Sequence, residues 1–172
     1  MPGFIQDKLE IKFLILYIAA RVIEPVPFDA ILDLTLCDDA IDYFDFSDCL
    51  ADLVRTGHLT LSDDLYSITD KGRRNSEICE SSLPYSVRLR CDKNLSEWNR
   101  KLRRKRQVKA SSEKRPNGTY TVRLSLNDDA GSVMDLRLMA PHADMAKALT
   151  EKFRREPEKL YGGIMKLLLQ EE

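Results

Sequence analysis

The stretch LADLVRTGHLTLSDDLYSITDKGRR, residues 50–74, decides the fold of the first half of the chain. It starts inside an amphipathic helix that we expect to run from about Tyr43 to Thr56. Gly57 follows at the position where a left-handed residue commonly ends a helix. The apolar face of this helix consists of Phe46, Leu50, Leu53 and Val54.

A short hairpin is predicted directly after that helix. Residues 58–61 and 65–68 are two apolar segments of strand length, and turn-forming residues at 62–64 separate them. Thr69 then stands where a hydroxyl side chain caps a helix, and the helix that follows should continue to Glu80.

Two helices precede this region. The first should cover residues 7–22 and the second 27–36, with prolines breaking the chain between them. Apolar residues recur at three- and four-residue intervals in both. The predicted buried stripe of the first helix is Leu9, Phe13, Leu16, Ala20 and Ile23, widened by Ile11, Ile15 and Ile18, and that of the second is Phe28, Ile31, Leu32 and Leu34.

Residues 50–74 resemble bacterial winged-helix regulators. The shared features are a helix end followed by Gly57, an apolar strand, and the pattern Tyr-x-Ile-Thr-x-x-Gly-Arg at 66–73. The resemblance implies a winged helix-turn-helix fold for residues 1–82. It implies less about function, because winged helices also serve as protein-interaction modules.

The helix that would enter DNA in such a fold is acidic. In a helix-turn-helix protein the second helix of the motif lies in the major groove. Its exposed face would here carry Asp42, Asp45, Asp48 and Asp52, with Arg55 as the only cation. Uncompensated carboxylates repel the phosphate backbone, so DNA binding requires basic flanks. The alternatives for this face are a merely solvated surface and a site for a basic protein partner.

Charge is strongly segregated along the chain. Residues 1–80 contain seven cations and sixteen carboxylates, a net charge of −9, whereas residues 81–115 carry a net charge of +9. Cations cluster after the hairpin and near the end of a long helix predicted from Pro84 to about Gln107, which favours double-stranded DNA as the partner. Solvated helix charges and contact with an acidic protein surface are the alternatives. The candidate nucleic-acid contacts are Arg55, Lys71, Arg73, Arg74, Arg100, Lys101, Arg103, Arg104, Lys105 and Arg106.

The same long helix carries apolar residues at spacings of four, three and four. Cys91, Leu95, Trp98 and Leu102 form this heptad-like seam. The seam suits packing within the chain or a homodimer contact, and both interpretations stay open.

After the basic helix the apolar period changes from that of a helix to that of a strand. Alternation over 120–126 and 133–140 predicts an antiparallel meander, with 108–114 as a candidate edge strand. Two helices, one after Pro141 and one opened by Pro157, should cover the apolar face of this sheet. The second helix presents Leu160, Tyr161, Ile164, Leu167 and Leu168.

The whole arrangement resembles an uncharacterised bacterial family from low-GC Gram-positive lineages, known as a domain of unknown function. The resemblance rests on LPYSVRLR at 83–90, NGTYTVRLSL at 117–126 and MDLRLMAP at 134–141, and it spans nearly the whole chain. It implies an N-terminal winged helix joined to a C-terminal α+β module, and it carries over no ligand and no catalytic residue. The expected domains are a winged helix at 1–82, a connecting basic helix at 83–107 and the C-terminal module at 108–172.

No motif for catalysis, metal binding or cofactor binding stands out. The cysteines contain no C-x-x-C pair, and neither histidine, His58 or His142, lies in a catalytic motif. We expect the four cysteines to be small core residues: Cys37, Cys49, Cys79 and Cys91. Asp38, Asp42, Asp45 and Asp48 raise the alternative of a divalent cation, but the stretch lacks the spacing and the glycine of a calcium loop.

The strongly apolar stretch at 13–20 is far shorter than the roughly 20 residues that span a bilayer. We therefore expect no membrane partner and a cytoplasmic location. The expected fold is α+β, with an N-terminal winged helix-turn-helix, a long connecting helix, and a C-terminal antiparallel three-stranded meander with two helices. The expected function is that of a dimeric DNA-binding transcriptional regulator and not of an enzyme. The alternative is a winged-helix interaction adaptor that does not bind DNA.

Overall fold

The computed structural model describes Ile5, residues 7–36 and residues 41–170. Within these residues the chain contains seven α-helices and two antiparallel three-stranded sheets, which confirms the predicted α+β class. It forms two compact units, Met1–Leu102 and Arg103–Glu172. The helices are α1 (Lys8–Ala19), α2 (Phe28–Thr35), α3 (Tyr43–Arg55), α4 (Asp70–Cys79), α5 (Tyr85–Gln107), α6 (Ala143–Arg155) and α7 (Pro157–Leu169). The strands are β1 (Val26–Pro27), β2 (Leu59–Ser62), β3 (Leu65–Ile68), β4 (Val108–Lys114), β5 (Tyr120–Asp128) and β6 (Gly131–Ala140).

Helix α1 is the central helix of the N-terminal unit, and every residue from Leu14 to Ala19 is buried. Asp7 caps its first turn by accepting a hydrogen bond from the backbone N–H of Glu10 at 2.8 Å. The predicted stripe was wrong at Leu9, which is exposed. Because consecutive residues are buried around this helix, periodicity alone could not select the inward face.

The predicted hairpin is confirmed as strands β2 and β3. Asp63 and Asp64 form its two-residue turn with φ of 51° and 60°, the backbone of a type I′ turn. The sheet also contains strand β1, which the sequence pattern missed and in which Val26 pairs with Tyr66. A strand of two residues has no apolar period to detect. Pro27, predicted to be the first residue of helix α2, is instead the N-cap of that helix and the second residue of strand β1.

Helix α5 is held against the N-terminal unit by polar contacts of Asp92 and Asn99. The Tyr17 hydroxyl donates to Asp92 Oδ1 at 2.6 Å, and burial together with this bond raises the pKa of the phenol. The side-chain amide of Asn99 donates to the carbonyl oxygen of Arg21 at 2.8 Å and accepts from the backbone N–H of Ile23 at 3.2 Å. These bonds fix α5 against α1 and against the segment that follows α1.

The heptad-like seam of α5 faces the interior of its own unit. Cys91 and Leu95 are buried in the N-terminal core beside Val87. Trp98 packs against the same core and Leu102 is half-buried. Packing within the chain therefore accounts for the first two positions of the seam, and it leaves Cys91 and Leu95 out of reach of a second copy.

The C-terminal unit contains the predicted meander, with strands in the order β4, β5, β6 and with β4 at one edge. Val122, Leu124 and Leu126 alternate along β5 on one face and are buried. Helix α6 lies over this face and adds Ala146 and Phe153 to the same apolar core.

Helix α7 does not cover the sheet as predicted. Pro157 is buried and Tyr161 is partly buried near its start, whereas Leu167 and Leu168 are 72% and 75% exposed. Helix α6 occupies the face above β4 and β5, and the first turns of α7 pack beside it. A stripe of apolar residues identifies the face of a helix but not the element that the face meets, so the sequence could not show this.

Candidate nucleic-acid interface

The acidic face of helix α3 is matched by lysines of helix α1. Lys8 Nζ lies 3.1 Å from Asp45 Oδ1 and 2.9 Å from Asp48 Oδ2. Lys12 Nζ lies 2.5 Å from Asp52 Oδ2. Residues four apart share one face of a helix, so the two lysines meet the carboxylates of α3 from the same side of α1. Hydrogen bonds to Asp48 and Asp45 raise the pKa of Lys8.

Asp52 has a second partner on its own helix. Arg55, three residues later, donates to Asp52 Oδ1 from Nε at 3.0 Å and pairs with it through Nη2. Hydrogen bonds from Lys12 and from Arg55 lower the pKa of the Asp52 carboxyl from 3.8 to about 2. Arg55, which sequence analysis assigned to DNA, is therefore engaged by its own helix, although much of its side chain is exposed.

Asp42 has a separate role as the N-cap of helix α3. Its Oδ1 accepts hydrogen bonds from the backbone N–H groups of Phe44 at 2.8 Å and Asp45 at 3.4 Å. An aspartate at this position satisfies donors that have no partner within the helix. This carboxylate thus stabilises the start of α3.

These contacts change the expected electrostatics of helix α3. Its three remaining carboxylates face three cations, namely Lys8, Lys12 and Arg55. The repulsion of phosphate is therefore weaker than the sequence of α3 alone indicates. Sequence analysis missed Lys8 and Lys12 because they belong to another helix. The signal that could have revealed them is their four-residue spacing, which matches that of Asp48 and Asp52.

Thr69 and Gly72, at the start of helix α4, hold this helix against the turn that follows helix α3. As predicted, Thr69 is the N-cap of α4, and its Oγ1 accepts from the backbone N–H of Gly72 at 3.1 Å. The same hydroxyl lies 2.8 Å from the carbonyl oxygen of Gly57 and 3.0 Å from that of His58. One threonine thus connects the start of α4 to the turn before β2.

His58 sits in a defined hydrogen-bond network at this junction. Its Nδ1 lies 2.8 Å from the hydroxyl of Thr56 and its Nε2 lies 2.7 Å from the amide nitrogen of Asn75. The Thr56 hydroxyl donates to the carbonyl oxygen of Asp52, so it accepts from Nδ1–H, and Nε2 accepts from the amide. This network requires a neutral imidazole. Burial and the charges of nearby lysines lower the pKa of His58 accordingly.

Two of the three cations after the hairpin bind backbone carbonyl groups. Lys71 Nζ donates to the carbonyl oxygen of Thr56 at 2.8 Å, and Arg73 Nη1 donates to that of Ala20 at 3.2 Å. Both carbonyls lie at helix C-termini, where cations complement the helix dipole. Arg74 is exposed and makes no such contact within the described part of the chain.

Six cations crowd the last two turns of helix α5. Arg104 forms a two-point ion pair with Glu158 of helix α7, and this bond raises the pKa of the guanidinium. The other five cations are exposed: Arg100, Lys101, Arg103, Lys105 and Arg106. Successive residues rotate by about 100° around a helix, so these charges surround α5. Over residues 7–36 and 41–170, the first four of them have no salt-bridge partner.

The described residues contain no group of three or more His, Cys, Asp or Glu side chains that could hold a metal ion. Asp38, one of the four aspartates considered for a divalent cation, lies outside the described residues, and so does Cys37. The side chains of Cys49 and Cys91 are buried, as expected of core residues, and Cys79 is half-buried. None of the helices described here has the length and apolar character needed to cross a membrane.

No curated protein and no solved structure matches the chain. One family model does match, over residues 11–168, which is most of the chain. The matched range includes helices α2 to α6, both sheets and therefore the residues of the candidate interface apart from Lys8. The chain belongs to the family described as a domain of unknown function, DUF4364.

Proposed function

We propose that the chain is a winged-helix protein that binds double-stranded DNA as a transcriptional regulator. Three helices, a hairpin and a further helix follow one another in the order of a winged helix-turn-helix. The C-terminal α+β unit would then be the module that links this activity to other signals. This function would place the protein in the cytoplasm, without enzymatic activity.

The exposed cations at the end of helix α5 carry the proposal. Arg55, Lys71, Arg73 and Arg104 all bind groups of their own chain. The cations that remain free for phosphate are Arg100, Lys101, Arg103, Lys105 and, after the hairpin, Arg74. Their contacts should supply non-specific electrostatic affinity, because side chains that reach phosphate carry little sequence information.

Fluorescence anisotropy of a labelled DNA duplex at several salt concentrations tests this proposal. Reversing Arg103 and Lys105 to Glu should abolish binding at moderate salt, and the wild-type affinity should fall steeply as salt rises. Neutralising the same two positions with Gln should reduce the slope of log K against log salt by about 2.

The matched control reverses Lys147 and Arg155 to Glu, since both are exposed on helix α6 and give the same change of net charge. It should bind as the wild type does. Salt-insensitive binding, or equal affinities for the two reversed variants, would exclude the proposed contact.

A protein-interaction adaptor is the second candidate, and the hairpin favours it. The tip carries Asp63 and Asp64, which repel phosphate, beside the exposed Leu61 and Leu65. Phe44, at the start of helix α3, is 75% exposed. Exposed apolar and aromatic side chains are suited to a protein partner. The basic partner considered for the acidic face is less favoured, because α1 already supplies lysines to that face.

Changing Asp45 and Asp48 to Asn separates the two candidates. The double change releases Lys8, so it should tighten DNA binding if the protein is a regulator. If the protein is an adaptor, both the wild type and the variant should show negligible affinity for DNA, even at low salt. Changing the exposed Asp29 and Asp33 of helix α2 to Asn gives the same change of net charge, leaves the Lys8 and Arg104 ion pairs intact and serves as the control.

A further inference from the structure

An apolar groove lies on the C-terminal unit, next to strand β6. Its volume is about 370 Å³. Its apolar lining is Leu124, Leu138, Leu149, Phe153 and Leu160, and the charged residues Lys152, Glu156 and Lys159 complete it. An apolar centre with a charged surround is the usual composition of a protein–protein contact.

The groove exists because helix α6 covers the sheet unevenly. Leu138 of β6 pairs with the buried Val122 of β5, so both side chains point to the same face of the sheet. Val122 is fully buried, whereas Leu138 is 39% exposed. The β6 side of the apolar face is thus left open to solvent.

The end of helix α7 presents a matching apolar surface. Pro157, Tyr161, Ile164 and Leu168 follow one another at spacings of four, three and four, which places them on one face of the helix. Pro157 is buried and the next two are half-buried, but Leu168 is exposed, as is Leu167 beside it. The apolar stripe therefore continues past the point where α7 packs on its own unit.

The same copy cannot bring these two surfaces together. Leu160 lines the groove, and Leu168 lies eight residues further along the same helix, a distance of about 12 Å. A continuous α-helix cannot fold back on itself to insert its own end. A second copy carries both surfaces and can receive the helix end of the first.

We propose that the chain forms a homodimer in which Leu167 and Leu168 of each copy enter the groove of the other. The contact is the same in both directions, as a two-fold axis requires. The two exposed leucines of one copy, each with a side chain of on the order of 100 Å², supply about 200 Å² of apolar surface. Each pair of leucines covers a similar area of groove, so the two symmetry-related contacts together bury about 800 Å². This is small for a specific interface, so we expect a weak dimer with a micromolar dissociation constant.

This inference names a contact through which the proposed regulator would form a dimer. It rests on the proposed function in one respect, because a regulator of this type is expected to act as a dimer. Its test, sedimentation equilibrium of the full chain, contains no DNA, so failure of one proposal is distinguishable from failure of the other. The wild type should dissociate over the micromolar range. Changing Leu168 to Asn, or Leu138 to Asn, should weaken association by about tenfold or more.

Leu169→Asn is the matched control, because Leu169 is 73% exposed at the same helix end but lies about 200° around the helix from Leu167, on the side away from the inserted pair. It should associate as the wild type does. Thermal unfolding followed by circular dichroism shows that each variant retains its fold.

Mixing the two weakened variants tests the pairing of helix end with groove. The Leu138→Asn chain keeps an intact helix end and the Leu168→Asn chain keeps an intact groove, so their mixture restores one of the two contacts and should associate more tightly than either variant alone. Absence of this complementation would overturn the proposed pairing. A wild type that remains monomeric at hundreds of micromolar would overturn the dimer itself, even if the monomer bound DNA.

Discussion

A Cβ atom on Gly72 would lie 2.1 Å from the carbonyl oxygen of His58. Helix α4 therefore crosses the chain before strand β2 at a distance that only glycine allows. Thr69, three residues earlier, contacts the same carbonyl oxygen at 3.0 Å. The glycine of the Thr-x-x-Gly pattern thus serves close packing of backbone on backbone, while the threonine caps the helix.

Replacing Gly72 with Ala should destabilise the N-terminal unit. In an ordinary helix this change stabilises by about 1 kcal/mol, but here the added methyl group meets a backbone atom that cannot move alone, so we expect a loss of about 2 kcal/mol or more. Urea unfolding followed by the fluorescence of Trp98, the single tryptophan, measures it. Gly163→Ala in helix α7 is the control, because its Cβ would meet no described atom within 4 Å. Equal stability of Gly72→Ala and wild type would contradict this packing.

The stability of the N-terminal unit should fall in mildly acidic solution through His58. Because the folded state lowers the pKa of this imidazole below 6.5, the unfolded chain binds more protons in the window just below that value. The stabilisation is full above pH 6.5 and is lost as the pH falls toward the folded-state pKa. Urea titrations at pH values on both sides of 6.5 measure the effect. His58→Gln, which cannot titrate, should remove it, and an unchanged pH profile in that variant would assign the effect to other groups.

The ion pair between Lys12 and Asp52 should be visible as a pKa. The hydrogen bond from Lys12 is the larger cause of the lowered value of about 2, so Lys12→Met should raise the pKa of Asp52 toward 3.8. Arg55→Met should raise it less. Carboxyl ¹³C chemical shifts recorded during an acid titration give both values. An Asp52 pKa that is near 3.8 in the wild type would show that α1 and α3 are not paired in solution.

The hairpin turn should tolerate glycine better than aspartate. Asp64 has a φ of 60°, in the left-handed region where a Cβ is unfavourable, so Asp64→Gly should stabilise by about 1 kcal/mol. Asp29→Gly, on the exposed side of helix α2, should instead destabilise by about 1 kcal/mol. Urea unfolding measures both changes. A loss of stability in Asp64→Gly would mean that the aspartate makes a compensating contact in the turn.

Elements with a local chemical cause could be predicted from the sequence. The turn between β2 and β3, the cap at Thr69 and the start of helix α5 after Pro84 all depend on residues that are close in the chain. The position of the basic cluster at the end of α5 could also be predicted, because its cations are close together in the sequence of one helix.

Features that depend on distant residues could not be predicted. The lysines that pair with the carboxylates of α3 come from 40 positions away, so the acidic helix seemed uncompensated. Strand β1 is defined by its partner Tyr66 and not by its own pattern. The apolar stripe of α7 was visible, but whether it is covered depends on where α6 lies on the sheet.

The attachment of helix α5 to α1 limits where the chain can be divided. Helix α5 supplies one wall of the N-terminal core through Val87, Cys91 and Leu95, and its polar bonds to Tyr17 and Arg21 hold that wall in place. A fragment ending at residue 82 would lose this wall and expose the apolar side of α1. Any recombination event that moves this unit into another protein must therefore transfer α5 at least as far as Asn99.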